Sequence, residues 1–318
     1  MRKRCCFVKN ILTNALSIQN YGETHYIIRI LGIKIKFPKV EYAIKKSKSP
    51  YYYYKKNNID ITTLPPAQGQ VRDIQLANLA LLKEMDYVCK QANLKYWLDF
   101  GALLGAIRHK GYIPWDDDID TGMLREDYNK IVDAFKTYSR NPDIYVEYIN
   151  SAKNPCQCYL KVLHKKCPHL FVDIFPYDFY SAILTREEQR EKTLELKEIR
   201  KKMQAKSTSR KIEDVLEIIE QAKKEVLVNH EYVEKSDRVW GIDFNHGWKN
   251  WFSSYDTIFP LNEIEFEGEK FPCINKPKEF LSEVYGDFMA YPKKIGIGHS
   301  MFLKLTNEEK EEIEKLKG

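Results

Sequence analysis

The chain has 318 residues, of which 43% are hydrophobic and 30% are charged, a composition typical of a folded protein rather than a disordered one. Its 51 Lys and Arg against 45 Asp and Glu give a formal net charge of +6. No apolar run approaches the roughly 18 to 20 residues of a membrane-spanning helix, and the basic N-terminus lacks the apolar core of a secretory signal. We therefore expect a cytoplasmic protein in which the seven cysteines are reduced thiols.

The N-terminal segment carries the positive charge, since residues 1–60 hold 13 Lys and Arg but only 3 Asp and Glu. Within it, HYIIRILGIKIKF at 25–37 alternates partly between apolar and basic residues and predicts a β-hairpin arm with one solvated face. A solvated edge strand would explain this pattern. The alternative is peripheral attraction to an anionic surface, such as the inner face of the cell membrane. No nucleic-acid motif accompanies the charge, so we expect no nucleic-acid partner.

The stretch that follows the arm contains two prolines and a glycine without apolar periodicity, which predicts a linker over 61–69. Apolar residues then recur at helical spacing from Val71 to Val88, and only Asn78 interrupts the stripe. We place a catalytic domain at 70–318.

A charged helical insertion is predicted within that domain at 185–235. Thr185 and Glu188, at its start, have the spacing of a capping box. A solvated structural face and a contribution to the acceptor site are both open as its role.

Residues 96–124 predict a short strand to Phe100, a glycine turn, a helix from about Leu103 and a second strand from about Asp118 to Met123. Gly101 and Gly105 then stand at and within the start of the helix. Glycine lets backbone N–H groups approach a phosphate, and a helix N-terminus favours negative charge.

Four aspartates, Asp116, Asp117, Asp118 and Asp120, occupy five positions after this helix. Their mutual repulsion does not stabilise a fold without a counter-charge, and a divalent cation is the natural one. If Ile119 points into the core, strand alternation puts Asp118 and Asp120 together on the opposite face. A solvated acidic turn is the simpler alternative, whereas an EF-hand loop is excluded by its missing glycine and glutamate. Beside the glycines, the acids predict a phosphate cradle facing a metal site, as phosphoryl transfer requires.

A third acid is expected from a neighbouring strand. LFVDIFPYDFY places Asp173 between the apolar Val172 and Ile174, which predicts a core strand with one exposed carboxylate. An ordinary aspartate at a strand end is the alternative.

These motifs closely resemble the LicD family, the bacterial phosphocholine transferases of surface polysaccharides, whose relatives include fukutin-type phosphoribitol transferases. The resemblance rests on 72–123 with its PWDDDID core, on FVDIFPYD at 171–178, on 266–292 and on His299. It implies an α/β (α+β) fold with a nucleotidyltransferase-like mixed sheet flanked by helices. It also implies a CDP-activated alcohol as donor, a glycan hydroxyl as acceptor and Mg²⁺ or Mn²⁺ as cofactor.

Within this reading we assign Asp118, Asp120 and Asp173 as metal ligands and Asp116 as the candidate general base for the acceptor hydroxyl. Asp117 is expected only to support the turn.

Some candidate donor contacts are indicated by their position in the sequence, and others are implied by the resemblance. Arg108 and His109 come after the glycines and are candidates for donor phosphates, with surface solvation as the alternative. Lys161 and His299 match family positions for phosphate or acceptor contacts. Ala102 stands where the family commonly has Thr or Ser, so that backbone N–H groups must bind the phosphate there.

One further run contains zinc-ligand residue types, at Cys156, Cys158, His164, Cys167 and His169. Its spacing is not that of a standard zinc finger, so we do not expect zinc. Two other functions remain open, a nucleotidyltransferase that releases pyrophosphate and an inactive scaffold that binds polysaccharide or membrane.

Overall fold

The computed structural model describes residues 16–21, 25–30, 33–38, 50–151, 154–179, 185–206, 211–226, 239–241, 251–252, 254–296 and 299–317. The chain divides into two units, residues 1–60 and 61–318. Among the described helices, none combines the length and the apolar character needed to cross a membrane.

The first unit contains a small antiparallel sheet. Its strands are β1 (Leu16–Tyr21), β2 (His25–Ile30) and β3 (Ile33–Pro38), in that order, and helix α1 (Pro50–Lys56) follows. The predicted hairpin is therefore present as the β2–β3 pair, with a further strand beside β2. Ile35, on the apolar side of the alternation, is 38% exposed, so at this residue the alternation does not mark a buried face. Residues 1–15 and 39–49 of the predicted arm lie outside the described residues.

The second unit begins with a 3-10 turn at Ile61–Thr63 and continues through ten elements to the first helix of the insertion. These are α2 (Gln70–Ala92), β4 (Trp97–Leu98), α3 (Phe100–His109), β5 (Asp120–Leu124), α4 (Arg125–Tyr128), α5 (Ile131–Tyr138), β6 (Ile144–Ser151), β7 (Asn154–His164), β8 (Phe171–Phe179) and α6 (Arg186–Lys206). The later elements are α7 (Ile212–Val226), β9 (Val239–Trp240), β10 (Trp251–Phe252), α8 (Tyr255–Ile258), β11 (Asn262–Phe266), β12 (Glu269–Cys273), α9 (Pro277–Tyr285), a 3-10 turn at His299–Phe302 and α10 (Asn307–Lys317).

Within the described residues, the main sheet runs in the order β6-β7-β8-β5-β4, and β9 and β10 extend it from the end of β8. Strands β5 and β8 pair in parallel and the other neighbours are antiparallel, so the sheet is mixed. The short β9 pairs with the last residues of β8, and β11 and β12 form a separate hairpin. The predicted α/β fold with a mixed sheet and flanking helices is thus confirmed.

Helices cover the sheet, which explains why its central strand reads as a nearly continuous apolar run. Val172 and Ile174 of β8 are fully buried, as are Leu81 and Met85 of α2, which packs against β7 and β8. Each such side chain contributes about 2 kcal/mol through burial of apolar surface. This two-sided packing holds the strand ends that position the acidic residues.

The predicted linker at 61–69 is not a free tether. Ile61, Leu64 and Ala67 are 4%, 7% and 6% exposed, and the 3-10 turn packs against α3. The stretch contains prolines and a glycine and shows no helical periodicity. Single apolar side chains in irregular backbone nevertheless bury their surface against a helix. The segment therefore belongs to the second unit.

The helical insertion is present as the pair α6 and α7. Its capping box is confirmed, because Thr185 N donates to Glu188 Oε2 at 2.7 Å and Glu188 N donates to Thr185 Oγ1 at 3.3 Å. Val215 and Ile219 of α7 are buried with Cys158 of β7. This helix thus packs against the sheet and is not solvated all round. Residues 227–235 of the prediction lie outside the described part of the chain.

Candidate active site

Two buried amides of α2 hold the acidic loop, residues 116–120, in place. Gln75 Nε2 donates to the carbonyl oxygen of Asp116 at 2.6 Å, and Asn78 Nδ2 donates to that of Asp117 at 2.8 Å. Asn78 Oδ1 also accepts from Phe171 N at 2.9 Å, at the start of β8. The polar residue that interrupts the apolar stripe of α2 therefore joins the acidic loop to the neighbouring strand. Buried amides are retained when their hydrogen bonds are made, as they are here.

Helix α3 begins at Phe100, three residues before the predicted start at Leu103. The reason is Asp99, whose Oδ1 accepts from Phe100 N at 2.9 Å and caps the helix. Asp99 is completely buried, and Tyr177 Oη donates to its Oδ2 at 2.5 Å. Burial raises the pKa of Asp99 to about 6, although these hydrogen bonds oppose the shift. Asp99 N donates to the carbonyl oxygen of Asp120 at 2.9 Å, which ties the cap to the acids.

Gly101 lies in the first turn of α3 and faces the carboxylates directly. A Cβ atom added there would stand 3.0 Å from Asp116 Oδ2 and 3.7 Å from Asp120 Oδ2. The preceding Phe100 has φ of 36°, a conformation that non-glycine residues adopt at a cost of about 1–2 kcal/mol. The helix start is thus held close to the acids, and the first-turn N–H groups of Gly101 and Ala102 point out of the helix end.

Gly105 has a different neighbour. A Cβ atom there would stand 2.3 Å from the carbonyl oxygen of Gly111 and 3.1 Å from Ile113 N. The loop that leads to the acids therefore crosses α3 in backbone contact at this glycine. The structure gives Gly105 a packing role, because backbone occupies the space in which a donor phosphate was expected.

The parallel pairing of β5 and β8 places Asp120 opposite Asp173, and Asp173 N donates to the carbonyl oxygen of Ile119 at 2.8 Å. The third acid is therefore where a neighbouring strand was expected to supply it. Ile119 is fully buried, while Asp118 and Asp120 remain partly exposed. The burial alternates as expected, although β5 begins at Asp120 and not at Asp118.

Burial raises the pKa values of Asp116, Asp120 and Asp173, and repulsion between neighbouring carboxylates raises them further. The pKa of Asp120 lies well above its usual range because of burial and the charges of Asp118 and Asp173. That of Asp116 is raised by burial and by Asp118, and that of Asp173 is raised to about 6. Such a cluster of carboxylates requires either protons or a cation to balance its charge.

Lys161 supplies part of that balance. It stands opposite Asp173 in the β7–β8 pair, with its Nζ 2.6 Å from Asp173 Oδ1 and 3.6 Å from the centre of the Phe171 ring. Tyr159 Oη donates to Asp173 Oδ2 at 3.4 Å. The residue predicted as a phosphate or acceptor contact is therefore paired with the third acid.

Arg108 and His109 are not on a solvated surface. Arg108 is only 6% exposed, its Nη1 donates to the carbonyl oxygen of Phe288 at 2.8 Å, and its Nε donates to His109 Nε2 at 2.9 Å. Burial lowers the pKa of Arg108 to about 10, while burial and the adjacent guanidinium lower that of His109 to about 3. At neutral pH the arginine is therefore charged and the histidine neutral.

Comparison with known proteins shows the family of the chain. The family described as "LicD/FKTN/FKRP, nucleotidyltransferase domain" matches residues 93–215. The chain is 30% identical over 251 residues to the lipopolysaccharide cholinephosphotransferase LicD of Haemophilus influenzae, which covers 70% of this chain and 92% of that protein. The chain belongs to the LicD family.

This LicD family protein matches two further proteins over shorter stretches of sequence. The human ribitol 5-phosphate transferase FKRP is 28% identical over 105 residues, which covers 31% of this chain and 20% of that enzyme. An uncharacterized protein of Rickettsia typhi is 33% identical over 106 residues, which covers 31% of this chain and 34% of that protein.

Several residues of the site in this LicD family protein were not predicted from the sequence. Tyr285, at the end of α9, has its pKa raised by burial and by Asp120 and Asp99, so its hydroxyl lies near the acids. No spacing rule links α9 to β5. Asp99 could have been found, since an aspartate directly before a helix is a capping signal.

The segment before α10 also reaches the acidic loop. Ser300 N donates to Asp117 Oδ2 at 2.6 Å, and Asp117 is 3% exposed, which agrees with a supporting role in the turn. His299 opens this 3-10 turn, but its side chain lies outside the described part of the structure. Its predicted contact with phosphate or acceptor stays a prediction.

The run of cysteines and histidines is spread over different contacts. Cys158 packs against α7, whereas Cys167 Sγ donates to the carbonyl oxygen of Glu309 in α10 at 3.5 Å. His169 Nε2 lies 3.5 Å from Glu309 Oε1. The side chain of Cys156 lies outside the described residues. His164 has other neighbours, which are described below.

Proposed function

We propose that this LicD family protein is a phosphotransferase that moves phosphocholine or a related phospho-alcohol from a CDP-activated donor onto a hydroxyl of a cell-surface glycan. The names of its relatives support this class, since one is a cholinephosphotransferase of lipopolysaccharide and another a ribitol 5-phosphate transferase. The observation that carries the proposal is the pairing of Asp120 with Asp173 on adjacent strands, directly beside the helix start at Gly101.

Asp118, Asp120 and Asp173 would hold Mg²⁺ or Mn²⁺. The donor set fits, because carboxylate oxygens are the ligands these cations prefer and the repulsion between these groups calls for a counter-charge. A cation bound there would neutralise the donor diphosphate and stabilise the departing oxygen. Lys161 would then keep Asp173 oriented through their ion pair.

The start of α3 would bind a phosphate of the donor. First-turn N–H groups have no partner within the helix, and the helix dipole adds a favourable partial charge. Gly101 lets the helix start approach the acids closely, since a Cβ atom there would stand 3.0 Å from Asp116 Oδ2. At Ala102 no hydroxyl is available, so the backbone N–H group would make this contact.

Asp116 would accept the proton of the acceptor hydroxyl. It is partly exposed, and its carboxyl group stands beside Asp118 and Gly101. As the proton moves to Asp116, the acceptor oxygen forms a bond to the phosphorus that bears the alcohol. The bond from that phosphorus to CMP breaks, and CMP leaves with the electron pair.

The test is CMP release by the purified full chain with Mg²⁺ and, in turn, CDP-choline, CDP-ethanolamine, CDP-glycerol and CDP-ribitol. We expect one donor to be used, and Asp118→Asn to reduce the rate by about 10²- to 10³-fold. Asp133→Asn is the matched control, because this aspartate lies on the surface of α5 and is 82% exposed. Its rate should equal that of the parent.

Two results would overturn the proposal. Release of pyrophosphate from a nucleoside triphosphate, with no CMP from any donor, would indicate a nucleotidyltransferase. If instead no donor and no nucleoside triphosphate were turned over and no CDP-alcohol bound in calorimetry with Mg²⁺ present, the protein would be an inactive scaffold. The calorimetric measurement covers the case in which turnover requires the glycan acceptor.

A further inference from the structure

Three potential metal ligands meet outside the candidate active site. Asp143 lies directly before β6, His164 is the last residue of β7, and Glu312 is on α10. One ligand atom from each residue lies within 4.8 Å of the other two. Residues so far apart in the chain are brought together because Ile144 and His164 are paired across β6 and β7 while α10 packs nearby.

His164 is the residue that points to a ligand. Its side chain is completely buried, and within the described part of the chain neither ring nitrogen has a hydrogen-bond partner. The nearest carboxylate oxygen, Glu312 Oε1, is 3.7 Å from Nε2, beyond hydrogen-bond length. Buried polar groups without partners are rare because each one carries its full desolvation penalty. The imidazole of His164 thus lies close to the carboxylates of Asp143 and Glu312 without a hydrogen bond to either.

We propose that Asp143, His164 and Glu312 bind a first-row divalent cation, Zn²⁺ being the best fit. One imidazole nitrogen and two carboxylate oxygens are zinc ligands, and water would complete a tetrahedral set. An imidazole ligand disfavours the binding of Mg²⁺, because Mg²⁺ prefers a ligand set made of oxygen atoms. Asp143 and Glu312 are partly exposed, so their side chains can move the ~1 Å needed to bring ligand atoms from 4.8 Å to tetrahedral spacing.

Two lysines now pair with these carboxylates, since Lys315 Nζ lies 3.2 Å from Glu312 Oε2 and Lys166 contacts both acids. Lys166 Nζ pairs with Asp143 Oδ2 and lies 4.0 Å from Glu312 Oε1. Its side chain is 58% exposed and can turn into solvent when a cation enters. The ammonium group of Lys166 and a metal ion thus compete for the same pair of carboxylates.

Binding would fasten the C-terminal helix to the sheet. Helix α10 follows the 3-10 turn whose Ser300 N donates to Asp117 in the acidic loop. The cation would therefore stabilise the docking of α10 and, through this turn, the support of the acidic loop. Its role is structural, and it does not depend on the function proposed above.

The test measures thermal unfolding and bound zinc in the full chain after dialysis against EDTA. To separate this site from the acids of the active site, the parent carries Asp118→Asn and Asp120→Asn, and the natural chain is measured beside it. We expect saturating Zn²⁺ to raise Tm by about 5 °C and elemental analysis to find about one zinc per chain. Mg²⁺ should produce no shift in this parent.

His164→Gln should lose both the shift and the bound zinc. Glu312→Gln, at a partly exposed position, repeats this test if the buried variant does not fold. The matched control is His169→Gln, because His169 also faces an acid of α10 but lies outside the trio. It should keep the shift in full.

Lys166→Met provides a test in the opposite direction. Removal of the competing ammonium should lower the Kd for Zn²⁺ about tenfold. The proposal is overturned if the parent shows no zinc-dependent shift, if His164→Gln and Glu312→Gln bind zinc like the parent, or if Lys166→Met binds zinc no better.

Discussion

At the scale of single residues, the two glycines of α3 have opposite roles. Gly101 faces Asp116 and Asp120, whereas Gly105 lies against the backbone of Gly111. Carboxylate side chains can shift by a few tenths of an ångström, but backbone in a packed loop cannot. Substitution of the first glycine should therefore affect chemistry, and substitution of the second should affect folding.

We predict that Gly101→Ala lowers CMP release about 10- to 100-fold, because its methyl group would stand 3.0 Å from Asp116 Oδ2 and narrow the space for the donor. The unfolding free energy should change by less than about 1 kcal/mol, since alanine favours a helix. Gly105→Ala is the contrasting variant and should lower Tm strongly. Equal activity in Gly101→Ala and the parent would show that the helix start does not approach the donor.

At the scale of elements, α2 acts as the support of the site. Asn78 and Gln75 fix the acidic loop from the buried face of this helix, and Asn78 also bonds to the start of β8. Arg125 and Asp178 form a bidentate ion pair, at 2.8 and 2.7 Å, between the ends of β5 and β8. These contacts keep Asp120 and Asp173 in register while the acids repel each other.

Asn78→Leu tests this support. The change completes the apolar stripe of α2 but removes the hydrogen bonds that Asn78 makes with the carbonyl oxygen of Asp117 and with Phe171 N. Each lost bond should lower the unfolding free energy by about 1–3 kcal/mol, measured by urea denaturation. Lys83→Leu on the exposed face of α2 is the control and should change it by less than about 1 kcal/mol. Similar values for the two variants would contradict the supporting role.

At the scale of the whole molecule, charge is divided unevenly between the two units. Residues 1–60 carry 13 basic and 3 acidic residues, whereas the remainder carries 38 basic and 42 acidic residues. We propose that the first unit binds to an anionic membrane surface through its positive charge. Attraction of this kind is screened by salt.

The full chain should therefore sediment with vesicles that contain phosphatidylserine at low salt and be released as salt rises. A chain without residues 1–60 should remain in solution, and vesicles of phosphatidylcholine alone should bind neither protein. Equal sedimentation of the two chains would rule out the arm as the membrane-binding element.

Local pattern predicted much of the fold and of the site. Periodicity indicated α2, the capping box marked the start of α6, and apolar neighbours marked β8 as the core strand that carries Asp173. These predictions succeeded because each depends on residues close together in sequence. The helix start at Phe100 was missed although Asp99 gave a capping signal. The packed segment 61–69 was missed because isolated apolar contacts leave little periodic signal.

The sequence by itself determined which acids this protein carries and the family to which it belongs. Only the tertiary structure decided their partners. It paired Asp120 with Asp173 by strand register, directed Lys161 at that acid, and gathered Asp143, His164 and Glu312 from distant segments. The physical reason is that register and helix docking arise from packing across the sheet, which no local spacing encodes.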